Sequence, residues 1–120
     1  MFIAQKLDLP AHPTQSWWGG FDEIQIFEDE SGGLAYDLSG ATIVLEVKES
    51  QAQDAVAVAT WTTADSSITI SEAVNGKFKV VGRNITLPAK RYYYGIKITP
   101  ANGESFVVVY GEWRITNLPI

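Results

Sequence analysis

A 120-residue chain with 46% hydrophobic side chains can bury a core as one domain without help from disulfides or metals, which excludes a disordered tail. Nine basic against fourteen acidic side chains leave a net charge of −5, and no Lys/Arg cluster offsets it, so phosphate backbones would repel this protein and no nucleic-acid partner is expected. Cysteine is absent, which removes disulfide frameworks, thiolate zinc sites and cysteine nucleophiles together.

The chain opens with Met1-Phe2-Ile3-Ala4, and Gln5, Lys6 and Asp8 follow at once, so no signal-peptide core is visible. No run approaches the roughly 20 apolar residues of a spanning helix, and no membrane insertion is expected. Pro10, Pro13 and the pair Gly19-Gly20 interrupt regular structure. Residues 1–20 therefore read as a short strand and an irregular arm, and residues 21–120 as a β-sandwich domain.

Strand alternation then dominates. Residues 22–27 place Ile24 and Ile26 on one face and Glu23 and Gln25 on the other. Glu28-Asp29-Glu30 leads into Ser31-Gly32-Gly33, which predicts a solvated acidic hairpin loop; the ordered ligand spacing of a calcium loop is missing. Tyr36-Asp37-Leu38-Ser39-Gly40-Ala41 reads as a turn that launches a strand over residues 42–49, with Ile43, Leu45 and Val47 inward and Glu46 and Lys48 outward. Residues 50–58 are the one weak helical candidate, and alternation fits their second half better. Residues 67–71 and 77–81 form a predicted antiparallel ribbon, with Asn75-Gly76 as a tight type I′ turn between them.

The last third carries the strongest pattern. Tyr92, Tyr94, Ile96 and Ile98 share one face, and Pro100-Ala101-Asn102-Gly103 supplies the following turn. In residues 104–116, Phe106, Val108 and Tyr110 have one parity and Trp113 and Ile115 the other. One sheet face can take both sets only across an extra residue, so a β-bulge is expected at Gly111. Trp61 and Trp113 belong to the core or its rim. Short strands separated by Gly, Asn and Pro turns indicate an all-β fold. The expected form is an antiparallel β-sandwich, immunoglobulin-like, of about seven to nine strands, without the Cys…Trp…Cys signature of antibody domains.

No catalytic constellation is legible. His12 is the single histidine and has neither an orienting partner nor a nucleophile in view, so it reads as an ordinary loop residue. Gly19-Gly20 and Gly32-Gly33 are not followed by the helix that a phosphate cradle needs. No enzyme activity, cofactor or metal is therefore expected. Trp17-Trp18 is the oddity, because neighbours in an extended chain face opposite ways and only one can enter the core. Trp17, Trp18, Phe21 and Tyr93 are the interface candidates. Asp65-Ser66-Ser67 is a further turn.

The order of features resembles a family of small β-sandwich virion proteins from the tail modules of tailed bacteriophages and prophages, similar to the N-terminal domain of baseplate upper proteins. The residues that carry the likeness are Asp37-Leu38-Ser39-Gly40-Ala41-Thr42, Trp61-Thr62-Thr63 with Ile68-Thr69-Ile70, and Asn75-Gly76. Two more segments complete it: Leu87-Pro88-Ala89-Lys90-Arg91-Tyr92-Tyr93-Tyr94, with Lys90 where the family usually has glycine, and Gly111-Glu112-Trp113-Arg114-Ile115-Thr116. The likeness spans residues 21–116. It implies a non-catalytic virion protein, made in a host cytoplasm, that assembles as a symmetric homo-oligomer in the tail, baseplate or neck and docks other virion proteins or fibres. The close at Leu118-Pro119-Ile120 favours an adaptor over a receptor-binding protein within that reading. The competing expectation is a carbohydrate-binding or host-adhesion module in which Trp17 or Trp18 stacks on a glycan; a small inhibitor of the sandwich class is a third.

Overall fold

Alternation in sequence becomes alternation in burial over residues 42–48 and 91–99. The computed structural model describes residues 4–28, 34–52 and 54–117. Among them run β1 (Gln5–Lys6), β2 (His12–Pro13), β3 (Ser16–Gln25), β4 (Thr42–Lys48), β5 (Ala57–Thr62), β6 (Ile68–Glu72), β7 (Lys77–Ile85), β8 (Lys90–Thr99) and β9 (Phe106–Thr116). They form an all-β sandwich of two sheets. The larger has the order β1-β9-β8-β4-β5, with β2 also on β9, and the smaller has the order β3-β7-β6. All pairings between long strands are antiparallel, whereas β1 and β2 join β9 in parallel.

The core fills the space between the sheets. Ile43, Leu45, Val47, Trp61, Tyr92, Tyr94, Ile96 and Ile98 on one side meet Ile68, Phe78, Val80 and Ile85 on the other. Trp61, Trp113, Tyr92 and Phe78 are the largest fully buried side chains. Each such side chain contributes about 1.5–3 kcal/mol by leaving water.

Counted from β3, the seven long strands split into sheets of three and four, as in an immunoglobulin constant domain. One strand is exchanged: the second, β4, lies between β5 and β8 instead of beside β3. A tyrosine corner accompanies this arrangement. Near the start of the sixth long strand, Tyr92 donates its hydroxyl to the Pro88 carbonyl at 2.7 Å, which clamps the β7–β8 connection.

The launching turn before β4 forms as expected. The Asp37 carboxylate accepts from the Ser39 amide at 2.9 Å and from the Ser39 hydroxyl at 2.6 Å, and Gly40 takes a φ of 75°. These two bonds, the hydroxyl's being the larger effect, hold the Asp37 carboxyl below its ordinary pKa. Leu38 is thereby driven fully into the core, where its amide donates to the Ala73 carbonyl at 2.8 Å. The acidic hairpin closes through the Phe27–Ala35 bridge, while Asp29 to Gly33 lie outside the described residues.

Three local expectations are corrected. The bulge in β9 is at Val108, not Gly111: Ile96 pairs with Val109 and Lys97 with Val107, so Val108 is the extra residue. Val108 and Val109 are both buried, the inward set continues through Trp113 and Ile115, and Tyr110 turns out to solvent. Gly111 has a different purpose. After β1 the chain continues alongside β9, and a Cβ on residue 111 would sit 2.1 Å from the Leu7 carbonyl oxygen.

The Asn75-Gly76 turn is not type I′. Ala73–Asn75 forms a single 3-10 turn and only Gly76 adopts a left-handed conformation, so the β6–β7 loop is longer than two residues. Among the described residues of 50–58 there is no helix, and β5 begins at Ala57, in the half where alternation fits better.

Gly19-Gly20 does not end regular structure either. Trp18 pairs with Arg83, Gly20 with Val81 and Phe21 with Val80, so the ladder runs through in register. Trp18 and Phe21 nevertheless both pack against the core, as do Ile85 and Val80 on β7. Both strands exchange faces at one point, where Gly20 takes a φ of 81°. A Cβ on Gly82 would lie 2.4 Å from the Trp18 carbonyl oxygen, so the close approach requires glycine there. Residues 5–20 are accordingly tied to β9 and β7, and position 20 falls inside β3.

Candidate functional site

The kink at Gly20 decides where the interface candidates point. Trp18 packs at ring-centroid distances of 5.3 Å from Trp61, 5.4 Å from Trp113 and 5.5 Å from Phe21. Phe21 also lies 6.4 Å from Tyr94. Trp18 and Phe21 are therefore partly buried and packed against the core. Arg83 covers the same cluster with its guanidinium 4.0 Å from the Trp61 ring, while donating to the Thr60 carbonyl. His12 sits at the margin of this cluster. Its ring is 5.8 Å from Trp113, and its Nε2 is 3.1 Å from the Ser16 hydroxyl.

Trp17 takes the opposite direction and is 63% exposed. Its indole edge lies over Gly82, since a Cβ there would be 2.9 Å from Trp17 Cζ2. Val81 is exposed beside it. Together they form an apolar spot on the outer face of the three-stranded sheet, with Asn84 as the cross-strand neighbour of Trp17.

Tyr93 lies on the other side of the molecule, on the outer face of the six-stranded sheet. Strand register lays three rows of side chains across β4, β8 and β9 there. Lys48, Tyr93 and Glu112 form the first row; Glu46 and Gly95, with Tyr110 opposite Gly95, form the second; Val44, Lys97 and Val107 form the third. The centre of the grid is a glycine, and a hollow of about 680 Å³ opens over it, walled by the loop at Ser50–Ala52. That volume falls within the range of small-molecule sites. The sequence reading missed Gly95 and Tyr110. Gly95 could have been noticed as a glycine inside an otherwise strongly alternating strand, while the misplaced bulge had turned Tyr110 inward.

Two buried tyrosines and three surface carboxyls complete the titratable groups with clear shifts. Burial raises the Tyr94 phenol to about 12, with the Asp8 charge adding to it, and the hydroxyl donates to the Leu7 carbonyl at 2.6 Å. Burial likewise raises Tyr92. Asp65 is lowered by the Ser67 hydroxyl and amide, and Glu72 by Asn75 and Lys77; both serve turns. Among the described residues no group of three His, Asp or Glu side chains could hold a metal ion.

No family model matches the chain, and neither the curated proteins nor the solved structures yield a match.

Proposed function

We propose that this chain is a non-catalytic structural protein of a tailed-phage virion, assembling as a homo-oligomer and docking neighbouring tail, baseplate or neck components. The resemblance of residues 21–116 supplies the virion context. The observation that carries the assembly mode is Trp17: a large indole held outward on a paired, rigid strand, with Val81 exposed beside it. An exposed Trp on a pre-organised sheet loses little freedom on binding and makes an interface anchor. Repetition of one modest contact around a ring then gives high avidity.

Sedimentation velocity over a wide dilution series tests this reading. An assembled species that dissociates to the 13.2 kDa monomer on dilution supports it; a monomer at every concentration overturns self-assembly. The glycan-binding alternative, in which Trp17 or Trp18 stacks on a sugar, is left with Trp17, because Trp18 is packed on Trp61 and Trp113. A different surface favours it.

A further inference from the structure

We propose that the hollow over Gly95 binds a pyranose ring. This site lies on the opposite sheet from Trp17, and it stands independently of the assembly reading.

The argument starts from a glycine that the fold does not require. Gly95 sits mid-strand in β8, between β4 and β9. Its φ is not in the left-handed region, and a Cβ there would meet its nearest neighbour, the Val109 carbonyl oxygen, at an ordinary 3.8 Å. Gly20, Gly82 and Gly111 differ, since a Cβ on each would strike backbone at 2.1–2.4 Å. A β-branched residue at position 95 would suit a central strand better than glycine does. A glycine that local structure does not call for, in the interior of a strand, marks a place where something else approaches the backbone.

The surroundings of the hollow indicate what approaches. Tyr93 and Tyr110 stand diagonally across it, each offering an apolar ring and a phenolic hydroxyl. A pyranose is amphipathic in the same way, with C–H faces and a hydroxyl rim. Lys48, Lys97 and Glu46 line the hollow, and Glu112, across from Tyr93, is ion-paired with Arg91 at 3.9 Å, so the rim carries charges of both signs. Such a rim can both donate hydrogen bonds to hydroxyls and accept hydrogen bonds from them. Among the described residues, the side chains of Glu46, Tyr93, Lys97 and Tyr110 make no hydrogen bond or ion pair. Their polar groups are free for a ligand.

The test is an amide-resolved NMR titration of the intact chain with the methyl glycosides of glucose, galactose, mannose, rhamnose and N-acetylglucosamine. Saturable shifts at Tyr93, Gly95, Lys97 and Tyr110 with at least one sugar are expected, without change around Trp17. Gly95→Val fills the hollow from a position where a side chain fits, and it should weaken that binding about tenfold or more while leaving the rest of the spectrum in place. Tyr110→Ala, on the exposed face, should weaken it similarly. The proposal is overturned by an absence of saturable shifts at these amides with every sugar, by undiminished binding in Gly95→Val, or by a response at these amides to a proline-rich peptide and to none of the sugars.

Discussion

The same chemical change, glycine to alanine, should move stability in opposite directions at two positions in this sandwich. At Gly82 the new Cβ would lie 2.4 Å from the Trp18 carbonyl oxygen, 2.8 Å from the Gly19 carbonyl carbon and 2.9 Å from Trp17 Cζ2. Two of these three atoms are backbone of the paired strand, so β3 and β7 must part at the kink. Overpacking of this kind costs about 1–3 kcal/mol. The ladder bonds beside it weaken as well, at roughly 0.5–1.5 kcal/mol for each one lost. Gly82→Ala is therefore expected to destabilise by about 2–4 kcal/mol, or roughly 8–15 °C in Tm for a domain of this size. At Gly95 the new Cβ meets only the Val109 carbonyl oxygen at 3.8 Å. There the restriction of the unfolded chain dominates, and Gly95→Ala should stabilise by about 0.4–1 kcal/mol. Urea unfolding with an unchanged m-value reads both effects. Equal shifts for the two variants, or destabilisation by Gly95→Ala, would refute the reasoning about which glycines the fold demands.

The two adjacent tryptophans should separate as sharply. Trp18→Ala removes a ring packed on Trp61 and Trp113 and should cost about 2–4 kcal/mol, whereas Trp17→Ser should change monomer stability by no more than about 0.5 kcal/mol; urea midpoints compare them. Tyr94 holds its proton to about pH 12 when folded, against about 10 when unfolded. Its contribution to stability is thus whole below pH 10 and lost as pH rises toward 12, and Tyr94→Phe should flatten that alkaline fall. At neutral pH the same variant should lose about 1 kcal/mol with its bond to the Leu7 carbonyl. Asp37 runs in the opposite sense: its lowered pKa stabilises above the ordinary carboxylate value and the effect fades as pH drops through the folded value. Asp37→Ala should therefore lower the midpoint at neutral pH and weaken the acid dependence. Hydrogen exchange should find the Leu7 and Leu9 amides protected, because they donate to the Tyr110 and Glu112 carbonyls at 2.7 and 2.9 Å.

Much of the architecture was legible because strand burial has a period of two and this chain keeps that period through long runs. Ile43, Leu45 and Val47, and Tyr92 through Ile98, fall inward as the pattern requires. What the pattern could not give is where a period is interrupted. In β9 the hydrophobic residues Phe106 to Tyr110 are nearly continuous, so alternation alone leaves the point of slippage open. The glycine at 111 drew the assignment away from Val108, yet its reason is the close approach of the Leu7 carbonyl, from more than a hundred residues earlier in the chain. Gly19-Gly20 misled similarly: a coordinated face exchange in two paired strands has no signature in either strand by itself. Of the interface candidates, Trp17 and Tyr93 are outward and Trp18 and Phe21 close the core; the rule that adjacent residues diverge required the split between Trp17 and Trp18 without saying which was which. The hollow depends on register between three strands, which brings Tyr110 beside Gly95, and register is a tertiary property.

The most direct measurement is the mass in solution, by light scattering, of the intact chain, Trp17→Ser and Gly95→Val side by side. An oligomer for the intact chain and for Gly95→Val, with a 13.2 kDa monomer for Trp17→Ser, is the result expected if the outer face of the small sheet is the assembly surface. A monomeric intact chain, or an oligomer that survives Trp17→Ser, would contradict it.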